Sequence, residues 1–433
     1  MIKINWFPEE IIRIAKKIEE KNGELFLVGG SVRDLILKRR PEEYDFEIYG
    51  NFQKKQEYLS LPELEKEEYV QDFIINIKET LKEFGEILEY GKSFGVIKMA
   101  NKPYDFSFPR TENKTGVFRQ DYAISLNPFL EYVDAQKRRD ITINTIMYSL
   151  SREILIDNYK GLQDIQLNLI RHVDADTFIE DPLRVYRVAQ FVSRFSFTVD
   201  METMELCQSM DINNLSLERI QWEMEKLLKG KDILAGVKFL EESKALLKRH
   251  FNFHNLLYNN MSKYDDINRI HYFIEENMKM TERFAFILIL FGNNFKNTEF
   301  EDYHKEIERV LLSFTNNKKD INQTLERIYN LKLLIDYYNE NMDYQEVVYN
   351  LINKDLKYLE LYFKFLYGEN EEIKKIINEA RNFKQLVKGK DLMELGIIES
   401  VKYKEILSEA IKMQISGKDK KEILLHIKRR ELL

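Results

Sequence analysis

All seven prolines of this 433-residue chain lie at or before Pro182, so residues 183–433 contain none. Proline ends or kinks helices and punctuates turns, and the proline-free stretch repeats Leu, Ile, Phe and Tyr at helical spacing. The second half is therefore expected to be nearly all α-helix. The front of the chain reads differently. Ile11, Ile12, Ala15 and Ile18 mark an amphipathic helix closed by Gly23, and Glu24 to Val28 forms a short buried strand. A strand from Tyr44 to Tyr49, a helix from Asp72 to Phe84, and three extended runs (Glu86 to Tyr90, Gly95 to Ala100, Tyr104 to Phe108) come next. Pro109 to Leu130 has no clean period and reads as a long loop. Leu215 to Leu228 is a strongly helical join to the body of the chain. The expected fold is an α+β head, a small mixed sheet with helices, on a long all-α continuation, with length enough for two or three domains.

Composition narrows the class. With 44% hydrophobic and 32% charged residues the chain reads as an ordinary soluble protein. Its longest apolar run, Phe284 to Phe291, falls far short of the roughly 20 residues that cross a bilayer and reads as buried helix. The first residues lack a sustained apolar region and a cleavage site, so a cytoplasmic location is expected. A single cysteine, Cys207, excludes an internal disulfide and a cysteine-based zinc cage, and reads as core packing. A net charge of -7 does not advertise nucleic acid. Only the C-terminus is locally basic, through Lys418, Lys420, Lys421, Lys428, Arg429 and Arg430; with Asp419 and Glu431 interspersed, this is either an RNA contact or a solvated helix face.

Three constellations carry chemistry. Asp45 and Glu47 lie one residue apart on a strand, and alternate strand residues face the same side. Just before them, Gly29-Gly30-Ser31-Val32-Arg33-Asp34 forms a glycine turn opening a helix, where exposed N–H groups suit phosphate. Either element alone is commonly a turn or a solvated strand end; together they have the layout of a metal-dependent phosphoryl-transfer site. Asp105, among apolar neighbours on a later strand, is either a third carboxylate of that site or a surface acid. In the second constellation, Arg138 and Arg139 precede a helix that Asp140 would cap, an arrangement suited to anions. The third runs from Glu180 to Arg187. There Asp181 and Pro182 explain a helix start without any function. Asp181 and Arg184, three apart, also share a helix face and could present an acceptor and a fork of donors to one base edge. Cytosine and adenine carry an exocyclic amine where uracil and guanine carry a carbonyl, so such a pair selects C and A without a template.

In this order and spacing the motifs resemble the class II nucleotidyltransferases, which comprise tRNA CCA-adding enzymes and bacterial poly(A) polymerases. The resemblance runs from Leu25 to about Lys229. It includes Ile156-Asp157-Asn158-Tyr159-Lys160-Gly161-Leu162-Gln163-Asp164, and Glu218-Arg219 with Glu223 and Lys226; Val387 to Gly396 is similar to the tRNA-holding tail of bacterial members. It implies a catalytic head over residues 1–150, a base-recognising neck over 151–230, a helical body over 231–380 and a tRNA-binding tail over 381–433.

The resemblance also implies roles. Asp45 and Glu47 would hold Mg²⁺, with Asp105 as a further catalytic acid. Gly29, Gly30, Ser31 and Arg33 would contact the triphosphate, and Arg138, Arg139, Asp140 and Asn144 would support the nucleotide. Asp181 and Arg184 would read C and A, with Arg187 nearby. CTP, ATP and the tRNA 3′ acceptor end are the implied partners, with no membrane. Three departures stand out. The second acid is Glu47 where Asp is common, and Gln190 stands where many relatives have Arg. No His-Asp pair accompanies Ile287 to Gly292, where many bacterial relatives carry a phosphohydrolase core. His250 and His254 therefore read as packing or surface residues, and no second active site is expected. The implied activity is CCA addition; rivals are CC-only, A-only or poly(A) addition, and a catalytically silent RNA-binding protein.

Overall fold

A computed structural model describes residues 7–90, 95–114, 122–291, 300–397 and 402–431. Two compact units emerge. The first comprises residues 1–184 and 197–211, the second 185–196 and 212–433.

The first unit begins with α1 (Glu9–Glu20), whose Ile11, Ile14, Ala15 and Ile18 are buried. After it come β1 (Gly23–Val28), α2 (Gly30–Ile36), β2 (Tyr44–Gly50), α3 (Phe52–Ser60) and α4 (Glu63–Lys82). Strands β3 (Ile87–Tyr90), β4 (Val96–Met99) and β5 (Tyr104–Ser107) come next, then β6 (Arg110–Lys114) and β7 (Tyr122–Leu126). Beyond α5 (Tyr132–Lys137) lie β8 (Met147–Ser149), β9 (Ile154–Ile156), α6 (Gly161–Gln166), the short β10 (Leu169–Ile170) and α7 (Ala175–Ile179). The main sheet has the order β3-β4-β5-β2-β1-β8-β9. Within it only the β2–β5 pair is parallel, which makes the sheet mixed as expected. Strand β2 is central, with β1 and β5 beside it.

Two sequence expectations need correction here. The helix placed at Asp72 to Phe84 starts at Glu63, and α3 precedes it; α3 buries none of its residues, so it left no apolar period to read. The segment read as a loop, Pro109 to Leu130, contains an antiparallel ribbon pairing β6 with β7 from Arg110↔Leu126 to Lys114↔Tyr122. Its polar sequence hides it. Residues 115–121 of that segment lie outside the described residues.

Helix α8 (Arg184–Phe195) crosses from the first unit into the second; β11 (Thr198–Val199) and α9 (Met201–Ser209) return to the first. Beyond Val199 every regular element among the described residues is helical, in keeping with the expectation of a nearly all-helical second half. Every residue of helix Met280–Phe291 is buried, including Phe284 to Phe291. A helix apolar all round belongs inside a core. Buried Arg327 in this unit is paired, 2.5 Å from Glu282 and 2.6 Å from Asp355. A small core of Val387, Leu392, Ile406, Ala410, Ile423 and Ile427 knits the last helices together. Cys207 is a buried free cysteine. No helix among the described residues is long and apolar enough to cross a membrane.

Candidate active site

The site is built where α2 begins beside β2. Gly29 has φ +65°, a conformation that favours glycine, and a Cβ there would push aside the tip of the Arg139 side chain, whose Nη1 would lie 2.9 Å away. Ser31 fastens helix to strand: its Oγ accepts the Asp45 N–H at 2.9 Å and donates to the Glu43 carbonyl at 3.0 Å. Arg33 is buried and donates Nε and Nη2 to Asp34 and Nη1 to Asn144 Oδ1 at 2.5 Å. Asn144 in turn donates to Asp140 Oδ1 at 3.0 Å.

The element after the arginine pair differs from expectation. It is one turn of 3₁₀ helix, Thr142–Asn144, whose first flanking residue is Ile141. Asp140 Oδ1 instead accepts the Ile141 N–H and the Asn144 amide. Behind this turn, Thr142 Oγ1 donates to Asp164 at 2.7 Å, and Asp157 accepts the N–H groups of Gly161 and Leu162. A Cβ on Gly161 would collide with the Thr142 carbonyl at 2.4 Å. The segment from Ile156 to Asp164 thus acts as a strut beneath the arginines.

The carboxylates have distinct surroundings. Asp45 is exposed to solvent, yet the protein around it withdraws much of its hydration and pushes its pKa up to about 6. Arg139 opposes that shift, and Asp105 and Glu43 add to it. Asp105 stands opposite Asp45 in the β2–β5 register, but Lys98 on β4 pairs with it at 2.9 Å. Glu47 is buried. Its Oε1 accepts from Arg138 Nη2 at 3.0 Å; its Oε2 accepts from the Tyr49 hydroxyl at 2.9 Å and lies 3.7 Å from Arg139 Nη2. Among the described residues no group of three or more His, Cys, Asp or Glu side chains converges as a metal cluster. The donor chemistry still fits a hard divalent cation, which takes one or two carboxylates and keeps its waters. Asp45 and Glu47 share a strand face, and a cation bound between them would offset the lost hydration that raises Asp45.

Asp181, Arg184 and Arg187 are more heavily engaged than their sequence suggests. Asp181 Oδ1 accepts the Leu183 N–H at 3.1 Å. Arg184 donates Nη1 to the Thr177 carbonyl at 2.6 Å and Nη2 to the Arg138 carbonyl at 2.7 Å, while its guanidinium lies 5.6 Å from the Phe178 ring centre. Arg184 is thereby bound to the segment that holds Glu47. Arg187 belongs to the second unit, 3.6 Å from Glu223 and beside Phe191. In that unit Gln190 is buried, and its Oε1 has no hydrogen-bond partner.

Asp45, Glu47, Arg138, Arg139 and the glycine turn come together; Asp105 is drawn towards Lys98. Sequence reasoning missed Tyr49 and Lys98. Tyr49 lies two residues beyond Glu47 on the same strand face, so continuing the alternation would have found it.

Residues 25–171 match the family model of the Poly A polymerase head domain. A multifunctional CCA protein of Shewanella frigidimarina is 31% identical over 231 residues, 52% of this chain and 49% of that protein. A CCA-adding enzyme of Blochmanniella pennsylvanica is 36% identical over 210 residues, 47% of this chain and 45% of that one. The chain thus spans about half the length of the curated relatives it matches. Solved structures extend the likeness. The Bacillus stearothermophilus CCA-adding enzyme in complex with CTP superposes with a TM-score of 0.68 at 19% identity, over 98% of both chains. The Thermotoga maritima CCA-adding enzyme complexed with tRNA has a TM-score of 0.60 at 19% identity, over 98% of this chain and 96% of that one. Residues 25–171 therefore resemble the Poly A polymerase head domain, and the chain has the fold of the solved CCA-adding enzyme structures.

Proposed function

We propose that this protein is a template-independent, Mg²⁺-dependent tRNA nucleotidyltransferase of the cytoplasm that adds C, C and A to the tRNA 3′ end from CTP and ATP. The observation that carries this reading is the placement of Asp45 and Glu47 on one face of β2, beside the Gly29 turn and Arg139. Bound Mg²⁺ would neutralise the phosphoryl oxygens and activate the terminal RNA hydroxyl. Asp45 and Glu47 hold it; the N–H groups at the start of α2, with Arg33 and Arg139, receive the triphosphate. The hydroxyl attacks the α-phosphorus in line and pyrophosphate leaves. Asp181 accepts from the exocyclic amine of C or A, and Arg184 donates to the neighbouring ring acceptor once it exchanges a backbone carbonyl for the base. Labour divides along the chain, with catalysis in residues 1–150, base recognition in 151–230 and tRNA holding in the body, 231–380, and tail, 381–433.

The test is extension of three tRNA transcripts, ending before CCA, after C and after CC, with CTP and ATP supplied singly and together in Mg²⁺. Stepwise completion to CCA is expected. Arrest at CC, action on the CC end alone, or continued A addition would each replace this reading with a restricted relative. Absence of incorporation on all three would indicate a silent binder.

A further inference from the structure

Glu47 is held by two kinds of partner. Tyr49 is an interior group: it is buried, with its ring edge-on to Phe26 at 5.2 Å and to Tyr132 at 4.9 Å, and its hydroxyl bonds Oε2. The hydroxyl is the donor in that bond, at 2.9 Å from Oε2. Arg138 is a peripheral group: a quarter of its side chain is exposed, and it bonds the other oxygen, Oε1. Its backbone carbonyl is fixed from behind by Arg184, so the side chain can swing while its root stays put. Arg138 thus gives Oε1 the positive partner that a divalent cation would give it.

We propose that Tyr49 is the permanent anchor of Glu47 and Arg138 its exchangeable counterion, so that metal and nucleotide enter the site as a coupled pair. Resting on the metal assignment above, this deepens it. In the empty site Arg138 competes with metal for Oε1. When a triphosphate arrives, its anionic oxygens draw Arg138 off, and Oε1 becomes available while Tyr49 keeps Oε2 in place. The extra methylene of a glutamate gives the carboxylate the reach to serve both partners. Such exchange is reciprocal, so metal must favour nucleotide as much as nucleotide favours metal.

The experiment measures Mn²⁺ binding to the full-length protein by electron paramagnetic resonance, without nucleotide and with a non-hydrolysable CTP analogue, in wild type, Arg138→Met, Tyr49→Phe and the double variant. In wild type, binding without nucleotide is expected to be weak and to strengthen with the analogue. Arg138→Met should tighten nucleotide-free binding about 5-fold or more, within the usual range of coupling between sites. Tyr49→Phe should weaken Mn²⁺ binding and broaden its signal, and in the double variant the Arg138→Met gain should disappear. A purely structural role for Tyr49 would lower stability and leave the Mn²⁺ spectrum unchanged, which overturns the anchor. Nucleotide-free affinity in Arg138→Met equal to wild type overturns the exchange while leaving the metal assignment intact. Failure of wild type to bind Mn²⁺ even with the analogue overturns both.

Discussion

His250 should make the second unit acid-labile in a narrow window. It is wholly buried in that unit, stacked on Phe314 at 3.8 Å between ring centres and 5° between planes. Ser313 Oγ donates its proton to the Val310 carbonyl at 2.7 Å, so it receives the His250 Nδ1 proton at 2.9 Å. That leaves Nε2 as the acceptor of the Tyr186 hydroxyl at 2.7 Å. The ring is therefore neutral with its proton on Nδ1, and a second proton would displace the Tyr186 donor. Burial, with Arg249 adding, lowers its pKa to about 3 from the ordinary 6.5. Because the folded pKa is depressed, the unfolded chain binds the proton first. The stability contributed is complete above about pH 6.5 and is lost as pH falls from there towards 3. Each unit of pH across that window costs about 1.36 kcal/mol, so the fall from pH 7 to 5 costs about 2 kcal/mol from this residue alone. The assay is urea unfolding at both pH values, with Trp222 as fluorescent reporter and Trp6 replaced by phenylalanine. His250→Gln, which can still accept from Tyr186 and donate to Ser313, should be less stable at pH 7 but lose about 2 kcal/mol less on acidification. Equal losses in both proteins, or a His250 ring nitrogen titrating near pH 6.5 by NMR, would refute the reasoning.

Asp45→Asn should cut nucleotide incorporation by about a hundredfold or more while leaving tRNA affinity within a factor of about two; full activity in an extension assay would remove Asp45 from the site. Arg184→Ala gives up two charge-assisted bonds to backbone carbonyls, each worth about 1.5–3 kcal/mol at most, so it should lower the thermal midpoint and also relax discrimination between CTP and UTP. Unchanged selectivity in competition assays would confine Arg184 to scaffolding. Gly29→Ala puts a Cβ against Arg139 at φ +65° and ψ -133°, costing about 1–3 kcal/mol of backbone strain; incorporation should fall with it, and wild-type activity would show that the turn does not shape the triphosphate site.

Legibility from sequence followed burial and locality. Strands β1 and β2 declare themselves because their residues are almost all buried, and Asp45 and Glu47 stand out against that apolar background. The same reasoning fails for β6 and β7, a ribbon outside the main sheet whose residues Arg110 to Lys114 show no apolar alternation. Helix α3 escapes notice for a related reason, since it buries nothing. Contacts between distant residues are a separate limit. Arg33 and Asn144 are 111 positions apart, Arg138 and Glu47 are 91 apart, and no local period encodes either pairing. Arg184 shows the difference most clearly. Its spacing from Asp181 suggests a donor facing a base, whereas the structure commits its guanidinium to Thr177 and Arg138.

Placing the two acids on the middle strand sets a time scale for the site. Strand β2 has a neighbour on each side, so the backbone under Asp45 and Glu47 has no free edge to peel away. Its amides should exchange with solvent only when the sheet itself opens, on the slowest clock in the first unit. On the proposed reading, whatever adapts as the RNA end changes from C to A must then be found among faster-moving parts such as the guanidinium groups, turning around a fixed pair of carboxylates.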